Sequence, residues 1–339
     1  RDAVVNPMAP EDQFRSLDRT LTPLPPVGAN LKSAFEALLD QLFRHQYPAH
    51  PVFDAEVRPA VVKKVWPELE RAIGSADGRA PVGDRVLRQL IRSIADPVHL
   101  GKTGESHFVL LDHWRSHFLR EQAKAGAAIT VADLRKWIDQ PLAMGLPAEV
   151  QNLIILAFAG HTNRRFVRGN VLYVASIDQM PDELELREQI LPEPGDWEAA
   201  CKRAAALFGL TIPTSRNAGN VARLVEEVQA RAREAREPIS SLVRTLNEKS
   251  ALFPAASDNR RLQTARSALA LLAGLLSAES AAVVTTLAGA TIETSEVAMR
   301  QTLARARELD EAVRTAAWDI FEAMKALNDE RQTAARAIV

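Results

Sequence analysis

Cysteine is almost missing from this chain: one thiol, Cys201, stands among 339 residues. A lone cysteine excludes an internal disulfide and any CxxC pair. It suits a reducing compartment, so a cytoplasmic protein is expected. It lies in Trp197-Glu198-Ala199-Ala200-Cys201-Lys202-Arg203, a helical pattern in which a free cysteine packs as a small apolar residue. A nucleophilic role would need a partner imidazole, and no histidine follows His161. An excess of charge of one sign is also missing: 42 Lys and Arg face 43 Asp and Glu, for a net charge of -1. No overall field therefore draws the chain to nucleic acid or to a membrane, and any such contact must come from a local patch. The longest apolar run, Ala268 to Leu276, contains Gly274 and falls far short of the roughly 20 residues a membrane span needs. The start, Arg1-Asp2-Ala3-Val4-Val5-Asn6-Pro7, has no signal-peptide apolar segment. It also lacks a methionine, as a piece cut from a longer protein would.

What is present points to helix. Glycine (15) and tyrosine (2) are scarce while alanine is abundant; alanine loses no side-chain entropy in a helix, and glycine loses the most backbone entropy. Residues 1–28, rich in proline and charge and ending Leu24-Pro25-Pro26-Val27-Gly28, read as a linker. A helix over 30–46 is predicted, capped by Asn30, with Leu31, Phe35, Leu38, Leu39 and Leu42 on one face. Helices follow at 58–74, started or kinked by Pro67, and at 84–95. The segment 99–111 reads as a short hairpin, and helices resume at 112–125, 131–139 and 147–161. The last carries Val150, Leu153, Ile154, Leu156, Ala157 and Phe158 and runs into two β-rich stretches around Gly169-Asn170, a hairpin signal. Two helices and a basic hairpin are the order of a winged helix; 58–111 shows a weaker version.

From 194 onward helices are expected at 218–236, 238–252, 259–277, 279–290 and 294 to the end. The last spaces Leu309, Val313, Ala317, Ile320, Met324 and Leu327 for a bundle seam or for contact between subunits. The fold class is mainly α: winged-helix-like elements with short β-hairpins, followed by a long-helix bundle. The expected divisions are 1–28 (linker), 29–125, 126–192 (with the basic hairpin) and 193–339 (bundle).

No motif supplies a catalytic site. Gly101-Lys102-Thr103 suggests a phosphate loop, but such a loop needs glycine five residues earlier, where this chain has Asp96, and Gly104 denies it the following helix. His99, His107, His113 and His117 fall in one segment, with His113 and His117 placed to share a helix face. The metalloprotease glutamate between them is missing and only Asp112 lies near, so no metal is assigned. Arg164, Arg165 and Arg168, with Asn170 and Lys102, are the candidate nucleic-acid contacts, since guanidiniums around a hairpin can reach phosphates beside a groove. Alternatively they form a solvated loop end or complement a helix dipole.

Four segments carry a resemblance. They are Leu42-Phe43-Arg44-His45-Gln46-Tyr47-Pro48-Ala49-His50-Pro51-Val52-Phe53, then Ile94-Ala95-Asp96-Pro97-Val98-His99-Leu100-Gly101 continuing to Gly104-Glu105-Ser106-His107-Phe108, then Met144-Gly145-Leu146-Pro147-Ala148-Glu149-Val150-Gln151-Asn152-Leu153-Ile154-Ile155-Leu156-Ala157-Phe158-Ala159, and Ala317-Trp318-Asp319-Ile320-Phe321. Together they resemble the C-terminal part of the large PglY/BrxC-type ATPases of bacterial BREX phage-defence systems. The resemblance implies a longer parent with an AAA-like module upstream, where ATP and Mg would bind; no cofactor is expected in this chain. It also implies winged-helix elements, self-assembly, and work beside other BREX components such as a methyltransferase and a phosphatase-like protein.

The expected function is therefore a non-catalytic C-terminal region that couples duplex DNA or a partner protein to ATP turnover elsewhere, with homo-oligomer contacts through the terminal helices. The rival readings are a helical interaction scaffold without nucleic-acid contact and an enzyme with a site in the His99–His117 segment.

Overall fold

The structure is a computed structural model that describes residues 16–25, 28, 30–54, 56–126, 128–250 and 259–325. The chain divides into two compact units, Arg1–Gln189 and Ile190–Val339. As the composition implied, it is mainly helical, with a few short antiparallel strands.

In the first unit, helix α1 (Leu31–Gln46) starts at Asn30, whose side chain accepts from the Ser33 amide in a capping box. The described residues of the preceding segment lie against α1: the Leu24 amide donates to Gln41 Oε1 at 2.7 Å, and Asp18 sits 3.5 Å from His45. Helix α2 (Pro59–Gly74) takes Pro59 into its first turn, where a missing N–H costs nothing. Pro67 lies inside α2 and neither starts nor ends it. Strand β1 (Arg79–Pro81), helix α3 (Arg85–Ala95), and strands β2 (Gly101–Thr103) and β3 (His107–Leu110) follow. Their sheet is ordered β1-β3-β2, all antiparallel. The register sets Phe108 opposite both Ala80 and Thr103, and Phe108 is fully buried.

Next come α4 (His113–Ala125), closed by Gly126 at φ 66°, β4 (Ile129–Thr130), α5 (Val131–Ile138) and α6 (Ala148–His161). Strands β5 (Arg164–Arg168), β6 (Val171–Leu172) and β7 (Glu185–Glu188) complete a second sheet, ordered β4-β7-β5-β6. Helix α6 is buried nearly all round, from Asn152 to Ala159. A helix apolar on every face has to be enclosed, and α2, α4, α5 and β5 enclose it. A single core runs from Val62 to Leu186.

The second unit holds α7 (Pro194–Phe208), α8 (Ala218–Ser250), α9 (Arg260–Ser277), α10 (Ser280–Ala288), α11 (Glu296–Thr315) and α12 (Trp318–Lys325) around a core of their own. Two expectations need correction here. The helices expected at 218–236 and 238–252 are one, because α8 passes through Pro238. The buried residues Val228, Ala232, Ile239 and Leu242 continue its core face across the proline against α9 and α11, so packing outweighs the lost backbone bond. The terminal helix does not run unbroken: its backbone departs from helical geometry at Arg305 and stops at extended Ala316.

Of the seam residues, Leu309 packs on the core and Val313 is half-buried, while Ala317 and Ile320 are exposed. The Met324 side chain and Leu327 lie outside the described residues. Asp310 ties α11 to α8 by accepting from Ser241 Oγ at 2.9 Å and Thr245 Oγ1 at 2.5 Å. Among the described residues, no helix is long and apolar enough to cross a membrane.

Candidate nucleic-acid interface

The hairpin expected to meet nucleic acid is present, as β5 and β6 joined through Gly169 at φ 62°. Its pleat divides the arginines. Residues alternate faces along a strand, so Arg164 and Phe166 turn inward with Arg165 outward between them; the alternation lapses at buried Val167, and Arg168 at the strand's end is exposed. The Arg164 side chain is only 5% exposed. It donates to Glu188 Oε1 at 2.9 Å and Gln122 Oε1 at 3.1 Å, and its guanidinium lies over the Phe158 ring. Arg168 donates to Glu183 at 2.5 Å. Arg187, directly across from Arg165, donates to Glu185 at 2.8 Å and to Asn170 Oδ1 at 3.1 Å.

Each of these carboxylates cancels the charge of the arginine it accepts from. Of the three arginines singled out, Arg165 alone is exposed with no ion pair among the described residues. Lys102 is exposed on β2, in the other sheet. In a winged-helix reading, α6 precedes this hairpin and would be the helix that enters a groove, but its surface is spent on the core.

A second row of guanidiniums stands on α3. Arg85, Arg88 and Arg92 are spaced i, i+3, i+7, so they share one helix face; Arg85, Gln89 and Arg92 are exposed. With Ser93 and the hairpin tip Gly104-Glu105 they line a hollow of about 500 Å³ that Asp54 also borders. Arg88 donates to the Val82 and Gly83 carbonyls at 2.7 and 2.9 Å, and Arg92 to the Thr103 carbonyl at 3.2 Å. Among the described residues no carboxylate pairs with Arg85, Arg88 or Arg92. The sequence carried the signal, an Arg-x-x-Arg-x-x-x-Arg spacing on an amphipathic helix.

Gly101-Lys102-Thr103 is strand β2. Asp96 accepts from the Thr103 amide at 3.1 Å and its hydroxyl at 2.8 Å, so a carboxylate holds the groups a phosphate would use. Among the histidines, the His99 and His113 rings lie tilted with centroids 5.1 Å apart and His161 Nε2 lies 3.5 Å from Asp112. Burial draws the His113 imidazole below its ordinary value, reinforced by His99, His117 and Arg120. Burial lowers His161 as well, against the pull of Asp112. His117 Nε2 meets the Trp137 carbonyl at 2.7 Å and its Nδ1 faces Arg120 at 3.3 Å, which assigns the Nε2–H tautomer. No group of three or more His, Cys, Asp or Glu among the described residues is arranged to hold a metal ion. Burial pushes the Cys201 thiol up, the opposite of what activates a nucleophile.

Models of three domains of one protein match the chain in order. The PglY fourth domain matches residues 1–47, the BREX System ATPase PglY protein 5th domain matches 60–159, and the 6th domain of the same protein matches 201–339. No solved structure matches.

Proposed function

The chain belongs to the PglY family of BREX System ATPases, and on that premise we propose that this region of the defence protein is a non-catalytic coupling piece that docks a protein partner from the same system. The observation that carries this reading is α1. Its apolar stripe is well formed and stands exposed: Leu31 is 82% exposed and Phe35 58%, with Leu39, Leu42 and Phe43 beside them. No residue of the helix is buried. Exposed apolar patches of this kind mark interaction surfaces, and stripes at i, i+4 and i+8 are how a helix lies on a partner's groove or helix.

The helix is held ready for this. Its C-terminal side is anchored where the Ala49 amide donates to the Ala143 carbonyl at 3.1 Å, His50 Nδ1 meets the Met144 carbonyl at 2.7 Å, and Phe43 packs tilted against Tyr47 and edge-on against His50. The stripe itself remains outward. The pairs Lys32–Glu36 and Asp40–Arg44 flank the stripe one residue on and keep that side in water, while Ser33, Ala34, Ala37 and Gln41 on the far side are half-buried.

The test is a reconstitution. Purified chain, alone and with each other BREX component, is sized by analytical ultracentrifugation. Phe35→Glu with Leu39→Glu should abolish the complex while leaving the unfolding free energy within about 0.5 kcal/mol of the parent, as for other exposed sites. A complex that survives both substitutions would sink the docking reading.

A further inference from the structure

We propose that the α3 face formed by Arg85, Arg88, Gln89 and Arg92 binds the phosphate backbone of a nucleic-acid duplex, and that the 164–168 hairpin does not. The proposal is independent of the α1 docking surface.

The argument rests on how each guanidinium is satisfied. In the hairpin, Arg164 and Arg168 are held by carboxylates, which cancel their charge. On α3, Arg88 and Arg92 are held by backbone carbonyls. A neutral acceptor takes one or two of the five N–H donors, stiffens the side chain and leaves both the full charge and the remaining donors outward. Arg85 has no anchoring bond among the described residues and stands at the first helical position. There it faces the positive end of the helix dipole, a place where a cation does nothing for folding. Arg88 lies one turn on. The N-cap Asp84 carboxylate is spent on the Val86 and Leu87 amides at 2.7 and 3.4 Å, so it caps the helix end and, among the described residues, pairs with none of the three arginines. Guanidiniums without a carboxylate partner are what a phosphate-binding face requires.

The dimensions agree. Seven residues separate Arg85 from Arg92, roughly 10 Å along the helix, long enough for the row to meet neighbouring phosphates of one strand. The hairpin tip Gly104-Glu105 borders the same hollow, joined to α3 through the Arg92–Thr103 bond. Gln89, exposed between the arginines, is a neutral donor and acceptor for sugar or base edges. Asp54 and Glu105 also line the hollow. They set the limits of the positive face, because a strand that strays over them meets repulsion.

The full chain is titrated with a short fluorescent duplex at several salt concentrations. Binding should weaken as salt rises. Arg85→Glu with Gln89→Glu removes none of the described bonds to Val82, Gly83 or Thr103, so it should leave the circular dichroism spectrum and unfolding midpoint intact. It should lower affinity at least about tenfold and flatten the salt dependence by about one ion. Arg165→Glu with Arg168→Glu should bind as the parent does. The proposal is overturned if the parent fails to bind at low salt, if the Arg85/Gln89 variant binds unchanged, or if the Arg165/Arg168 variant is the one that loses affinity. It is equally overturned if polyglutamate binds this face and duplex does not, since the partner would then be an acidic protein. None of these results alters the ultracentrifugation outcome for α1.

Discussion

Side chains of one type meet opposite fates here, and the histidines show what this does to stability. His113 and His161 are held below their ordinary value, chiefly by burial, so the folded first unit resists protonating them. The sign follows from linkage: where the unfolded chain binds more protons than the folded one, stability rises with pH. Lowering the pH through about 6.5, the ordinary imidazole value, should therefore weaken the first unit progressively, until the folded side chains themselves titrate. Urea unfolding at pH 7.5 and 5.5 should show the loss, and His113→Gln should shrink the difference between the two. An equal difference in parent and variant would mean that other groups set the pH dependence. The arginines make the matching point for function. Their positions at 164, 165 and 168 were plain from the sequence. Which of them turns inward depends on strand pleat and on Glu188 and Gln122, contacts spaced 24 and 42 residues away that no local pattern encodes.

Local signals carried furthest in the elements whose boundaries are chemical. The Asn30 cap, the α3 start behind Asp84 and the Gly169 turn all stand where residue type put them. The pattern misled where packing overrides propensity, as at Pro238 inside α8. The β2–β3 hairpin belongs with the first kind. Gly101 lies under the Phe108 ring, which a Cβ would overlap. Ring and backbone can meet only because position 101 has no side chain. Gly101→Ala should thus displace Phe108 from the core and cost about 1–3 kcal/mol, the usual range for overpacking, as read by denaturant unfolding. The adjacent Gly104→Ala meets only the His107 backbone and ring at 3.3 Å or more and should cost clearly less. Equal costs would show that the hairpin yields at Gly101 without strain.

At the scale of the whole chain, the helices were readable one by one but their sharing of a core was not. Composition and spacing suggested a division near 125, between two helix-and-hairpin segments. The core crosses that position: α6 packs on α2, and Val62, Val65 and Leu69 belong to one cluster with Leu153, Ile154, Ile155 and Phe158. The magnitudes decide what a cut there would do. Each large apolar side chain fully buried contributes about 1.5–3 kcal/mol, while a whole domain is stable by only about 5–15 kcal/mol. Losing even half of what α6 buries would exhaust that margin. A fragment of residues 29–125 should therefore show no cooperative unfolding transition. Fragments 1–189 and 190–339, each with its own core, should each unfold in a single sigmoidal transition by circular dichroism. A sharp transition in 29–125 would mean that its sheet, α2 and α3 close a core without α6, and that the first unit is two domains pressed together. Its absence would make α6 the common centre of both segments. It would also explain in energetic terms why a helix placed to enter a groove is unavailable for one, leaving α3 to face outward.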